Sequence, residues 1–450
     1  MKKEKKPTFQ EALIARLHQY APRGDKAVET YGTWEVASSK DDVLSKIRYV
    51  LTTGITAFDD IVGGMPFGRI VEVYGQESCG KTALALRCAG RAQLGSVCEV
   101  IRDGDGIKGL RKLKSSEFDV GVLYIDNEQS LDDDEKIKCD GHDLDIGIAR
   151  CDTVAGVFKM VEHEIDETEK WQANEPDKLH FLVVVVDTIA STSTKEDLNA
   201  AWGTRDFPRV PYELGKGFSR LVRRINACNA ILICTNQVRV DYVAAGDRNA
   251  NRKHVSYQYR SLGGKALKYY ASHRVFMDAL SSSYKLTPTA QFAAGLNIQF
   301  RTVKNRLRMP HRDGRMALLF DEKKGGFNEP FSMLETLLLY KFIEMDAETK
   351  NTGYRVKFMK NGVVPTTFGA EKITTTLEED DAKLSPRRGP SRKDPTFKNR
   401  ADWPAFYAAH RADIDALWAK AVQYAFNTPG LSEPLVEDEE DIENAPNLED

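Results

Sequence analysis

The chain has no cysteine pair spaced C-x-x-C, and its seven cysteines, Cys79, Cys88, Cys98, Cys139, Cys151, Cys228 and Cys234, are odd in number. That distribution excludes a disulfide framework or a cysteine-built metal site and points to reduced thiols in a cytosolic protein. Long apolar runs are missing too. The longest, Phe181 to Val186, falls far short of the roughly 20 residues that span a bilayer, so no membrane association is expected. The start, Met1-Lys2-Lys3-Glu4-Lys5-Lys6, is charged and no apolar segment follows it, so no secretory signal is expected. Basic residues stop at Lys420, and 433–450 carries Glu437-Asp438-Glu439-Glu440-Asp441 among prolines and asparagines. This is the composition of a disordered acidic tail.

What is present is ordinary on average. A length of 450 residues, 41% hydrophobic content and a formal net charge of -3 suffice for one large globular domain with a smaller appendage. The average hides a segregation, because 239–274 and 301–315 are rich in Arg, Lys and His. Such stretches are either solvated surface or a polyanion-binding face for which the acidic tail competes.

The run Gly75-Gln76-Glu77-Ser78-Cys79-Gly80-Lys81-Thr82, followed by Ala83, reads G-x-x-x-x-G-K-T after the apolar stretch Ile70 to Tyr74. Its glycines let successive backbone N–H groups face phosphate oxygens, and the N-terminus of the following helix favours negative charge. Lys81 is placed to reach the β and γ phosphates of ATP, and the Thr82 hydroxyl to ligate Mg²⁺.

Beyond the loop, helix-forming and short continuous Val/Ile/Leu segments alternate: helices over 83–94, 154–171 and 214–227, strands over 122–125, 179–186 and 230–235. Continuous apolar strands indicate a parallel sheet buried on both faces, an α/β class with helices on both sides. Three of these strands end in polar residues. Asp187 closes one and is placed to hold a water of a bound Mg²⁺. Glu128 stands at the tip of the strand over 122–125 and can polarise an attacking water. Gln237 follows the third and can sense the γ phosphate. Singly, each fits a solvated loop or helix cap; together, beside one phosphate loop, they describe a nucleotide-hydrolysis site.

In order along the chain, Gly68 to Thr82, Tyr124 to Asp132, Val186 to Ala190, Thr235 to Arg239, Gly263 to Arg274 and Val303-Lys304-Asn305-Arg306 resemble the RecA family of DNA strand-exchange recombinases. The likeness covers about 52–320, and the C-terminal extension looks more like a bacteriophage member than a bacterial housekeeping one. The resemblance implies ATP and Mg²⁺ at Lys81 and Thr82, Glu128 as general base, Asp187 as the metal-associated acid and Gln237 as sensor. It further implies that Lys304 and Arg306 reach the ATP of a neighbouring subunit, so that a helical filament forms. The family's adenine-stacking aromatic is replaced by Asp132-Asp133-Asp134-Glu135, leaving Asp132 as the candidate contact to the base.

DNA is expected at two loops. The first, 199–216, offers Trp202, Arg205, Phe207 and Arg209; the second, 238–262, offers Arg239, Arg248, Arg252, Lys253 and Arg260, with Gly263 and Gly264 behind it. Cations with aromatics suit sequence-independent binding of single-stranded and then double-stranded DNA. The implied layout is an N-terminal interface helix around Phe9 to Tyr20 and linker (1–50), a RecA-like core (51–330), a C-terminal region (331–432) and the acidic tail (433–450). The insertion 96–121 reads as a surface hairpin or an accessory DNA contact. The implied function is ATP-dependent homologous recombination in the cytoplasm of a bacterium or phage-infected bacterium, with single-stranded-DNA-binding and mediator proteins as further partners. A hexameric helicase on the same core and a non-catalytic filament regulator remain as alternatives.

Overall fold

In the computed structural model, the described residues are 47–103, 106–131, 138–139, 142–143, 146–199, 209–242, 257–284, 294–320, 326–339, 343–345, 354–356, 396–397, 403–415 and 418. The chain divides into units 1–47 and 48–450. The expected helix at Phe9 to Tyr20, Asp132 and the acidic tail lie outside the described residues.

The strands up to residue 327 are β1 (Tyr49–Leu51), β2 (Met65–Pro66), β3 (Arg69–Gly75), β4 (Val97–Asp103), β5 (Gly106–Lys112), β6 (Phe118–Asp126), β7 (Lys138–Cys139), β8 (His142–Asp143), β9 (Gly147–Ala149), β10 (Leu179–Asp187), β11 (Ala230–Tyr242), β12 (Tyr257–Ser261), β13 (His273–Tyr284), β14 (Gly295–Lys304), β15 (Asp313–Leu319) and β16 (Gly326–Phe327). The helices used below are α1 (Thr56–Val62), α2 (Lys81–Gln93), α3 (Val154–Asn174), α4 (Lys195–Asn199), α5 (Arg209–Ala227), α6 (Ala266–Tyr270), α7 (Glu329–Leu339) and α8 (Trp403–Ala409).

One large sheet runs β16-β15-β14-β13-β3-β11-β10-β6-β9, with β12 hydrogen-bonded to β11. From β13 to β9 every pairing is parallel, and β14, β15 and β16 extend it antiparallel. The apolar run of β10 explains its central place. Phe181, Val183 and Val185 face one core with α2, while Leu182, Val184 and Val186 face the other with α3 and α5. A strand clothed on both faces has no polar side to alternate with. Each fully buried aliphatic or aromatic side chain adds roughly 1.5–3 kcal/mol of transfer free energy.

Helix α2 buries Leu84, Ala85, Cys88, Ala89 and Ala92, the i, i+4 spacing that lays one stripe on the sheet. Helix α3 begins at Thr153, whose hydroxyl accepts the Gly156 N–H at 3.1 Å, a standard N-cap. Gly217 on α5 is required by packing, because a Cβ there would meet the Phe158 ring at 2.2 Å.

The insertion forms the β4–β5 hairpin, and β4 also pairs with β1 in a sheet of order β2-β1-β4-β5. Two boundaries change the expected DNA-binding loops. Helix α5 starts at Arg209, so the latter part of the first expected loop is helical; Pro211 sits in its first turn, where a missing N–H is tolerated. Strand β11 runs on to Tyr242 and pairs with β12 from Val238↔Ser261 to Tyr242↔Tyr257, so the second expected loop stands on a hairpin. Among the described residues, no helix is long and apolar enough to cross a membrane.

Part of the C-terminal region packs on the core. Trp403 is fully buried and its indole N–H donates to Pro330 O at 2.5 Å, while the Trp418 indole donates to Asp60 on α1. Trp403→Ala should therefore lower the free energy of unfolding by about 3–5 kcal/mol. Urea unfolding followed by far-UV circular dichroism measures this, and an unchanged midpoint would show that the C-terminal helix contributes nothing to the core.

Candidate functional site

The carboxyl ends of β3, β11, β10 and β6 lie side by side, with Gln237 opposite Gly75 and Asp187 opposite Asp126 in register. In an open parallel sheet this edge is where ligands bind. Between β3 and α2 the loop 76–80 turns through Ser78 at φ 57° and Gly80 at φ 86°. Gly75 is needed for a second reason: a Cβ there would lie 2.0 Å from the Met277 carbonyl oxygen on β13. The Lys81 ammonium folds back over the loop, donating to Gly75 O at 3.2 Å and to Gln76 O. Cys79 is buried beneath, and burial raises its thiol pKa. Thr82 and Ala83 stand in the first turn of α2. The arrangement can cradle phosphate, with a helix N-terminus behind it and the Lys81 ammonium across its mouth.

Asp187 is 1% exposed and firmly held. The Tyr124 hydroxyl donates to its Oδ2 at 2.7 Å and the Thr235 hydroxyl to its Oδ1. Burial, then the Asp187 charge, drives the Tyr124 pKa well above the usual phenol range, so Tyr124 remains a donor. A carboxylate has about four lone-pair sites, and Asp187 keeps capacity for a water of a hydrated cation.

Glu128 stands exposed two residues past β6, and the Gln237 amide donates to its Oε1 at 2.9 Å. Burial raises the Glu128 pKa, as does the Asp187 charge, while the Gln237 bond and Lys81 partly offset them. Asp126, by contrast, is consumed by the turn: its carboxylate accepts the Ser130 and Leu131 N–H groups at 3.2 and 3.0 Å. Lys81, Thr82, Glu128, Asp187 and Gln237 are thus gathered at one edge.

Lys304 and Arg306 are not. Lys304 pairs in register with Arg274 near the start of β13, and its ammonium caps α6 by donating to Lys268 O at 3.3 Å and Tyr269 O at 3.0 Å. Burial lowers its pKa, as do the charges of Arg306 and Arg274. Arg306 follows, exposed. Arg306 lies near Arg69 and His273, the first residues of β3 and β13, at the opposite end of these strands from the phosphate loop.

Of the expected DNA contacts, Trp202, Arg205, Phe207, Arg248, Arg252 and Lys253 lie outside the described residues. Arg209 is the first residue of α5 and lies 3.7 Å from Asp197 of α4. Arg239 and Arg260 are cross-strand partners in the β11–β12 hairpin. With Gly263, Gly264, Lys265 and Lys268 they line a cleft of about 600 Å³. Gly263 and Gly264 have φ of +78° and +79°, a conformation that glycine adopts without strain. Lys265 and Lys268 were not among the residues expected, although their i, i+3 spacing after Gly-Gly was a readable signal. Tyr124 and Thr235 were missed as well, since neither type announces that it will hold a buried acid.

A family profile described as the RecA N-terminal domain matches residues 28–127. Protein RecA of Wolbachia pipientis subsp. Culex pipiens is 25% identical over 301 residues, covering 65% of this chain and 70% of that protein. Protein RecA of Cytophaga hutchinsonii is 25% identical over 301 residues, covering 66% and 71%. Protein RecA of Laribacter hongkongensis is 24% identical over 339 residues, covering 74% and 79%. Beside the phosphate loop, the polar strand tips and the hairpin that follows them, the chain is thus similar to RecA proteins over 65–74% of its length.

Proposed function

We propose that the protein is an ATP- and Mg²⁺-dependent recombinase that polymerises on single-stranded DNA, searches a duplex for homology and exchanges strands. The observation that carries this reading is the 2.9 Å bond from Gln237 to Glu128. It joins the candidate general base to a strand that continues directly into the hairpin of the cationic cleft. A sensor so placed ties hydrolysis to DNA binding.

Lys81 and Thr82 would hold the phosphates and the ion, and Asp187 an ion-bound water. The bound ion would neutralise phosphate charge. Glu128 takes a proton from the attacking water at a carboxylate made more basic than usual by burial and by Asp187. Asp132 is the candidate contact to adenine. Lys304 and Arg306 would reach the nucleotide of the next subunit. Such an interface is heterologous and open, and generates a helix. Arg239, Arg260, Lys265 and Lys268 would bind the DNA backbone, with Trp202 and Phe207 stacking on bases. The compartment implied is the cytoplasm of a bacterium, infected or not, where single-stranded-DNA-binding and mediator proteins are the further partners.

Glu128→Gln should slow hydrolysis by roughly 10²- to 10⁴-fold, the usual cost of losing a general base, with nucleotide binding retained. Because the Glu128 pKa is raised, the wild-type rate should fall on acidification at a pH above the ordinary glutamate value of 4.5. A steady-state pH profile of both proteins reads this, and near-wild-type turnover in the variant removes Glu128 from the role.

Electron microscopy with single-stranded DNA and a non-hydrolysable ATP analogue should show open helical filaments. Closed rings of six would support a helicase instead, and absence of DNA-stimulated hydrolysis a regulator. Replacing Lys304 and Arg306 together by Ala should remove DNA-stimulated hydrolysis while sparing nucleotide binding. Mixing that double variant with Lys81→Ala subunits should restore part of the activity; no recovery would refute action in trans.

A further inference from the structure

At the amino-terminal edge of the sheet, remote from the phosphate loop, Asp119, Glu175 and His180 converge: one ligand atom from each lies within 4.8 Å of the others. We propose that these three residues bind one divalent transition-metal ion of the Zn²⁺ class.

His180 is the informative member. Its ring is 7% exposed, yet neither Nδ1 nor Nε2 has a hydrogen-bond partner among the described residues. A buried imidazole with both nitrogens unpaired is costly. Nε2 is directed at the two carboxylates, 3.8 Å from Asp119 Oδ2 and 3.9 Å from Glu175 Oε2. These separations are too long for hydrogen bonds. Around a tetrahedral ion with bonds of about 2.0–2.2 Å, neighbouring donor atoms lie roughly 3.3–3.6 Å apart. A contraction of a few tenths of an ångström at the imidazole, and of up to roughly 1.5 Å between the two half-exposed carboxylates, closes the site around an ion.

The backbone presets the cluster. His180 and Asp119 are register partners on the parallel strands β10 and β6, and Glu175 is the C-cap of α3. Gln172 on α3 fastens the intervening turn to β10, accepting the His180 N–H at 3.0 Å and donating to Lys178 O at 2.9 Å. Helix α3 and both strands are therefore fixed around the three side chains.

An imidazole with two carboxylates and room for water suits Zn²⁺, Co²⁺ or Ni²⁺, whereas Mg²⁺ prefers an all-oxygen shell. The cluster thus differs in chemistry from the site at Asp187. One feature opposes binding: the Lys178 ammonium lies 2.6 Å from Asp119 Oδ2. An entering cation must displace it, so removal of Lys178 should strengthen binding. A bound ion would pin the end of α3 to β6 and β10 and stabilise the fold by linkage.

The test is a Co²⁺ titration of the full chain in excess Mg²⁺, followed by d–d absorption, with Zn²⁺ displacement. One saturable equivalent is expected in the wild type. The band should be lost in His180→Gln and weakened in Asp119→Asn. In Lys178→Ala the Co²⁺ affinity should rise severalfold. Zn²⁺ should raise the thermal unfolding midpoint of the wild type but not of His180→Gln. No saturable absorption in the wild type, or equal affinity in wild type and His180→Gln, would overturn the proposal. If His180→Gln fails to fold, the opposed shifts expected of Asp119→Asn and Lys178→Ala still decide it, and equal affinity across both would refute it.

Discussion

The centre of the molecule is organised by one buried carboxylate. Glu72, on β3, is fully buried; its Oε2 accepts Arg274 Nε from β13 at 2.5 Å, and its Oε1 accepts Asn236 Nδ2 from β11 at 2.9 Å. Arg274 also lies over the Tyr74 ring, 4.6 Å from its centroid. An isolated charge there would be intolerable, and removing one partner of such a pair costs about 3–5 kcal/mol. The carboxylate thereby binds three adjacent strands together a few residues below the phosphate loop. The positions of Lys81, Gln237 and the base of the hairpin all follow from that registration.

Little of this network was legible in the sequence. Glu72 is a lone acid inside Ile70 to Tyr74, and its partner Arg274 is 202 positions away. By contrast, the sheet could be read with little ambiguity, because β10 and the first half of β11 are continuous apolar runs that only a doubly covered parallel strand accommodates. The strand-tip residues were legible for the same reason: a polar side chain after such a run must emerge at the edge. Where the reading fell short, local chemistry was ambiguous. Residues 209–213 lack an apolar stripe, so the start of α5 was hidden until packing fixed it. Asp126 and Glu128 look alike in sequence, and only the turn at Ser130 and Leu131 decides which acid is spent on structure.

The two basic groups differ in kind. Arg239, Arg260, Lys265 and Lys268 share one cleft, where summed positive potential favours a phosphodiester backbone without reading its sequence. Lys304 is instead engaged with the carbonyls ending α6, and α6 carries Lys268 of that cleft. Under the proposed reading, a lysine drawn towards a neighbour's nucleotide would release those carbonyls. The subunit interface and the DNA cleft would then share a short helix, so that assembly and DNA binding need not be independent.

Successive residues of a strand face opposite ways, and β11 uses this at Asn236 and Gln237. Gln237 turns to Glu128, while Asn236 turns to Glu72 and also donates to Leu262 O at 3.0 Å. The Leu262 N–H in turn donates to Gln237 O at 3.0 Å, so the residue before Gly263 is held by both members of the pair. The backbone at Asn236 and Gln237 cannot move far without disturbing the segment that leads into the glycines of the cleft. In the proposed reading, a γ phosphate competes with Glu128 for that amide. Drawing the amide away would free Glu128 Oε1 to accept a proton from water and remove a bond that favours its charged form, raising its basicity further. A pull strong enough to shift the strand backbone at 236–237 would reach Leu262 through two hydrogen bonds. One side chain would thus arm the base and signal the DNA cleft, with the Glu72 network as the fixed frame against which it moves.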